Sequence, residues 1–198
     1  MKRILFFAAA FAAAPLGAQV PFGLTAGMSV AALAKEITMI PIPSSPYFYA
    51  ARTAPAPNAE FTTYLYLITP KYGLCQVMAT SEAFASDAAG VTTRDHFSRM
   101  EAALGLKYGN DHKTDTAQMG SMWATTPELW MMGLAKRERQ LIAVWSREHL
   151  STLPAPIQGI ILMAQAPTPD TATLVLQYRF SHMTECQAEA DSAKNATL

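Results

Sequence analysis

Between Phe61 and Thr69 the chain is rich in Thr, Tyr, Leu and Ile, side chains that fit a pleated surface. Tyr64, Tyr66 and Ile68 fall on one face of this predicted strand, and Thr63, Leu65 and Leu67 on the other. Pro70-Lys71-Tyr72-Gly73 is a turn by composition, so Leu74 to Ala79 reads as the second arm of a hairpin. Upstream, Ser29 is placed to cap a short helix with apolar positions Val30, Leu33 and Ile37, and Ile37 to Ile42 reads as a strand. Pro41, Pro43, Pro46, Pro55 and Pro57 then remove N–H donors, so the segment from Pro43 to Ala59, with Tyr47, Phe48 and Tyr49, is predicted as an extended loop.

The clearest helix starts at Thr93 and carries Phe97, Met100, Leu104 and Tyr108 at spacings of three and four before Gly109-Asn110 ends it. Asn110 to Thr125 reads as a linker. Thr126-Pro127-Glu128 then combines a capping hydroxyl, a proline at the first turn and an early acid, and predicts a helix to about Glu138. Strands are predicted over Gln140–Ser146, Ile157–Gln165 and Ala172–Phe180. In the last, Leu174, Leu176, Tyr178 and Phe180 alternate with Thr173, Val175, Gln177 and Arg179, the pattern of one buried face. A polar tail from Thr184 begins helical and frays.

The predicted fold is α+β, a mainly antiparallel sheet with helices on one face. It divides into two helix–three strands–helix halves, about residues 22–109 and 126–193. Leu33-Ala34-Lys35-Glu36 rhymes with Leu134-Ala135-Lys136-Arg137, and Thr69-Pro70 with Thr168-Pro169. Internal duplication and chance similarity both account for matches this short.

Lys2 and Arg3 precede an apolar run from Ile4 to Ala14, followed by Pro15 and the small pair Gly17-Ala18. That run is too short for a hydrocarbon core about 30 Å thick at about 1.5 Å per helical residue, and its flanks are those of a secretory signal. Residues 1–18 are therefore expected to be an export signal cut after Ala18, leaving 19–198 as one domain in the periplasm or secreted. No later apolar run reaches transmembrane length. In an oxidising compartment the two cysteines, Cys75 and Cys186, are expected to pair. The long loop so closed is worth about 4–5 kcal/mol in the chain-entropy model.

Phe22-Gly23-Leu24 followed by Gly27-Met28-Ser29 and an apolar helix resembles the opening of small exported α+β modules, the outer-membrane assembly lipoprotein fold and the duplicated β-lactamase inhibitor fold. Lys71-Tyr72-Gly73-Leu74-Cys75 and Lys107-Tyr108-Gly109 are similar to phrases in a bacterial family of exported proteins. The chain departs from the lipoprotein pattern in lacking a lipid-bearing cysteine, and from both folds in showing one helix before each sheet segment. The resemblance implies helices on one face of an antiparallel sheet and a binding role, and assigns no catalytic residue.

Fifteen basic against fifteen acidic side chains give no electrostatic footprint for nucleic acid. His96, His112, His149 and His182 are too widely spread for any pair to share a helical face, and no cofactor is expected. Neither a nucleophile elbow nor a phosphate-cradling glycine loop is present. Two function classes stand: a non-enzymatic binding or assembly module contacting an envelope protein, and a small exported hydrolase built from dispersed residues such as Asp95, His96 and His112. Met119-x-x-Met122 and Met131-Met132 supply thioethers suited to Cu(I), but methionine is equally a core filler. Lys136, Arg137 and Arg139 form one basic cluster, read either as a solvated helix end or as an anion-binding site. Around Trp123, Trp130 and Met131 the helix stripe cannot face one sheet entirely. Either the linker folds back to complete the core, or these residues form a partner site with Lys136 and Arg137 steering beside it.

Overall fold

The computed structural model describes residues 20–196, and the expected export segment, residues 1–18, lies outside the described residues. A single turn at Pro21–Gly23 leads to α1 (Val30–Leu33), whose first free N–H groups include that of Ala32, donated to the Ser29 hydroxyl at 3.2 Å. The hairpin of β3 (Phe61–Thr69) and β4 (Gly73–Ser81) follows β1 (Ile40–Pro41) and β2 (Phe48–Ala51). After β5 (Phe84–Ala85) come α2 (Val91–Tyr108), β6 (His112–Ala117), α3 (Trp130–Ala135) and β7 (Arg139–Ser146). The chain ends with β8 (Ile157–Thr168), β9 (Thr171–Phe180) and α4 (Met183–Asn195).

The nine strands form one sheet in the order β1-β2-β3-β4-β9-β8-β7-β6, with β5 added to β9, and all the pairings are antiparallel. The α+β class follows. Two strands lie where the sequence pattern gives loops. β2 occupies the proline-free stretch inside the proline-rich segment and pairs Phe48 with Leu67 and Ala51 with Tyr64. β6 runs His-Lys-Thr-Asp-Thr-Ala along the edge of the sheet, with no residue fully buried. A strand without a buried face has no apolar alternation to betray it.

The core fills one face of the sheet. Tyr64, Tyr66 and Ile68 of β3 join Leu174, Leu176, Tyr178 and Phe180 of β9 there, beneath Leu33 of α1, Phe97 and Leu104 of α2 and Trp130 of α3. β9 departs from the one-sided pattern, because Val175 and Gln177 are also buried. As the fifth strand of eight on the main path, it holds Val175 between Thr80 and Met163, and Gln177 between Met78 and Ile161. The buried Gln177 amide donates to Gln76 Oε1 at 2.6 Å, which answers the cost of removing both amides from water.

The expectation that all helices share one face is corrected by α4. Cys186 and Ala190 of α4 pack with Leu67 and Cys75 in a small cluster separate from the main core, and Leu67 alternates with the core residues Tyr66 and Ile68. α4 therefore lies on the opposite face, tied to β4 by the Cys75–Cys186 disulfide with Cα atoms 6.5 Å apart. Among the described residues, no helix is long and apolar enough to cross a membrane.

Helix α2 begins two residues before the sequence signal at Thr93. Gly90, with φ +70°, turns the chain into the helix, and Asp87 does the capping from three residues further back. Its carboxylate accepts the N–H groups of Val91 at 3.1 Å and Thr92 at 2.9 Å. Thr92's N–H first, then Val91's, hold the Asp87 carboxyl down at about 2. A lowered carboxyl adds stability at pH above its ordinary value and loses it as pH falls through the lowered one. The melting temperature of the protein is therefore expected to fall more steeply from pH 4 to pH 2 than that of Asp87→Asn, and parallel curves would contradict the cap.

Candidate functional site

The region around α3 is folded differently from a partner surface. Trp130 is 2% exposed, and its indole N–H donates to Asp115 Oδ1 at 3.2 Å. The guanidinium groups of Arg94 and Arg139 lie 5.3 and 5.7 Å from the Trp130 ring, and Arg139 also bonds Asp115 at 2.8 Å. Met131 is fully buried and takes a hydrogen bond from the Thr93 hydroxyl at its sulfur. Trp123 folds back, half-buried, against Gly133. This is the core-completing alternative: Trp130 and Met131 are core residues and form neither the rim nor the centre of an exposed patch.

Lys136 and Arg137 are exposed, but they terminate α3. The N–H of Arg137, at φ +61°, reaches Leu134 O, and that of Glu138 reaches Gly133 O, a left-handed helix end of the kind usually built on glycine. What remains open to solvent nearby is Met119, Met122 and Leu129.

The hydrolase residues are not brought together. His96 stacks on Phe84 at 4.3 Å, near the start of α2. His112 stacks on His149 at 4.8 Å, past the helix's far end. The intervening helix from position 96 to 108 rises about 18 Å. Among the described residues, no three Cys, His, Asp or Glu side chains are grouped to hold a metal.

A different site is present along α2. A cleft of about 730 Å³ runs between this helix and the segment from Ala56 to Phe61. His96, Arg99, Met100, Ala103, Leu104 and Lys107 line it from one side, a helical face at spacings of three and four. Pro21, Pro57, Asn58 and Glu60 line the other side. The floor is apolar, with Leu174 and Leu176 beside an aromatic group of Phe22, Phe61 and Tyr178. Phe22 meets Phe61, Tyr64 and Tyr178 edge to face at centroid distances of 5.8, 5.3 and 5.9 Å. Phe22 holds φ +66°, an uncommon state for a bulky side chain, and its carbonyl accepts the Ala56 N–H at 2.9 Å, linking the cleft's entry turn to its far wall.

Three basic side chains, His96, Arg99 and Lys107, border this floor, with the Glu60 carboxylate across from them. His96 is committed to Phe84, and the Lys107 ammonium lies 5.2 Å from the Tyr108 ring. Arg99 is exposed and, among the described residues, has no hydrogen bond, ion pair or ring contact. Burial first, and then the neighbouring Tyr108, push the Tyr178 phenol well above its ordinary value, so the floor carries no charge at neutral pH.

Sequence reading picked out the apolar stripe Phe97, Met100, Leu104 and Tyr108 of α2 and named His96 only as part of a dispersed hydrolase set, so it passed over Arg99, Ala103 and Lys107 beside it. The available signal was small and basic residues at helical spacing beside a core stripe. Their partners across the cleft come from distant segments and leave no local pattern. No family model matches the chain, and neither a curated protein nor a solved structure matches it.

Met131→Ala is expected to lower stability by about 2–5 kcal/mol, the range for emptying a packed core position, whereas Met122→Ala at the exposed neighbour should change it by less than about 0.5 kcal/mol. Denaturant melts of the two variants check this. A Met131→Ala variant as stable as the parent would return Met131 to the surface.

Proposed function

We propose that the protein is an exported, non-enzymatic binding module of the bacterial envelope, periplasmic or secreted, whose working surface is the cleft along α2. The observation that carries this reading is the cleft itself: an apolar floor, one open wall and an uncommitted cation, of a volume that suits a small-molecule ligand. The N-terminal charge and apolar run support export, as does a buried Cys75–Cys186 bridge of the kind that persists in oxidising compartments. The hydrolase alternative loses its motivating residues, since Asp95 and His96 sit far along α2 from His112.

We also read the strands as a duplication. From either edge of β2-β3-β4-β9-β8-β7 the order is a strand, a hairpin and a helix that follows it. A two-fold axis relating antiparallel neighbours β4 and β9 runs normal to the sheet and keeps every helix on its own face. α2 and α4 lie on opposite faces, so the repeat covers the strands and stops before the helices.

Ala103 is exposed on the cleft wall, where a larger side chain fills the opening without entering the core. The neutral fluorescent probe N-phenyl-1-naphthylamine is expected to bind the parent and to lose at least about fivefold in affinity on Ala103→Trp, with the melting temperature unchanged within about 2 °C; a steric block of a preformed pocket has this signature. Equal binding by both proteins would remove the cleft as the working surface.

A further inference from the structure

We infer that the α2 cleft takes a soluble amphipathic monoanion, its apolar body on Phe22, Phe61 and Tyr178 and its acid group at Arg99. This deepens the cleft reading and rests on it. The aromatic group of the floor offers edges and faces to a flat or chain-like apolar body and no formal charge. Among the described residues none of the three bordering basic side chains has a hydrogen bond or ion pair, but His96 rests on Phe84 and Lys107 on Tyr108, and Arg99 alone has no ring contact to orient it away from a ligand. A guanidinium presents a planar fork that matches a carboxylate or sulfonate in two parallel hydrogen bonds.

Ala103 lies one turn beyond Arg99 on the same wall, and its small side chain leaves room beside Arg99 for the ligand's apolar body to reach the floor. Glu60 stands on the opposite wall without a salt bridge among the described residues. Its carboxylate raises the cost of each negative charge on the ligand, which favours a monoanion over a dianion. A membrane surface is the wrong source for the acid. The large apolar side chains exposed on this protein, such as Leu106, Met119, Met122 and Leu150, are absent from the cleft's lining, so nothing at the rim inserts into a bilayer.

The matched probes are 8-anilinonaphthalene-1-sulfonate and N-phenyl-1-naphthylamine, which share their rings and differ in the sulfonate. With the full chain, Arg99→Gln is expected to weaken the sulfonate probe by about five- to tenfold, the scale of one net hydrogen bond at a solvent-exposed side chain, and the neutral probe by less than twofold. Glu60→Gln is expected to tighten the sulfonate probe alone. Monomeric decanoate should displace it, and phosphatidylglycerol vesicles should not. Equal effects of Arg99→Gln on both probes, no effect on either, or displacement by vesicles alone would overturn the anion assignment. Unchanged binding of both probes to Ala103→Trp would instead overturn the cleft reading beneath it.

Discussion

The pairing of β4 with β9 joins segments about a hundred residues apart, from Gln76 opposite Arg179 to Thr80 opposite Val175, and the other elements are arranged around it. Each strand brings its own hairpin partner, β3 on one side and β8 on the other, so this one antiparallel contact merges two hairpins into a single sheet. It also brings Val77 and Ala79 beside Tyr178 and Leu176 on the core face. On the reverse face it sets Gln76 and Gln177 at hydrogen-bonding distance, a buried polar pair that resists a one-residue slip, since a slip sends every side chain to the other face. The cleft floor is the core face of β9 carried to its open end.

The wall of the cleft depends on how α2 is held, and a tryptophan grips each end. At the start, Gly90 lies so close to Trp130 that a Cβ there would collide with the indole, and the guanidinium groups of Arg94 and Arg139 also lie against that ring. At the finish, Trp145 of β7 donates its indole N–H to the Gly109 carbonyl at 3.0 Å. The helix is thereby fixed against β7 and β8, while its outer stripe stays free to face a ligand. On the far side of the sheet, the disulfide fixes α4 to β4, so the core face and the α4 face are secured independently.

Where a side chain's burial repeats with a short period, the sequence was legible. β3 ends where its Thr, Tyr, Leu and Ile pattern ends, and Phe97, Leu104 and Tyr108 are buried as their spacing requires. The pairing of Cys75 with Cys186 followed from their being the only two cysteines in a chain that reads as exported. β6 was hidden because an edge strand with polar side chains on both faces has no period to read. The helix end at Lys136 and Arg137 was legible, but its left-handed turn was not, because such a turn is announced by glycine and here an arginine takes that place. The cleft was the least legible feature. Phe22, Ala56, Arg99 and Tyr178 come from four separated segments and meet only because β9 lies at the centre of the sheet.

Methionine methyl NMR separates the cleft from the apolar surface near α3 in one spectrum, because Met100 lines the cleft while Met119 and Met122 are 99% and 67% exposed beyond it. On titration of the full chain with decanoate, the account expects the Met100 methyl to shift and saturate while those of Met119 and Met122 stay in place. Saturable shifts at Met119 and Met122 with Met100 unmoved would contradict it.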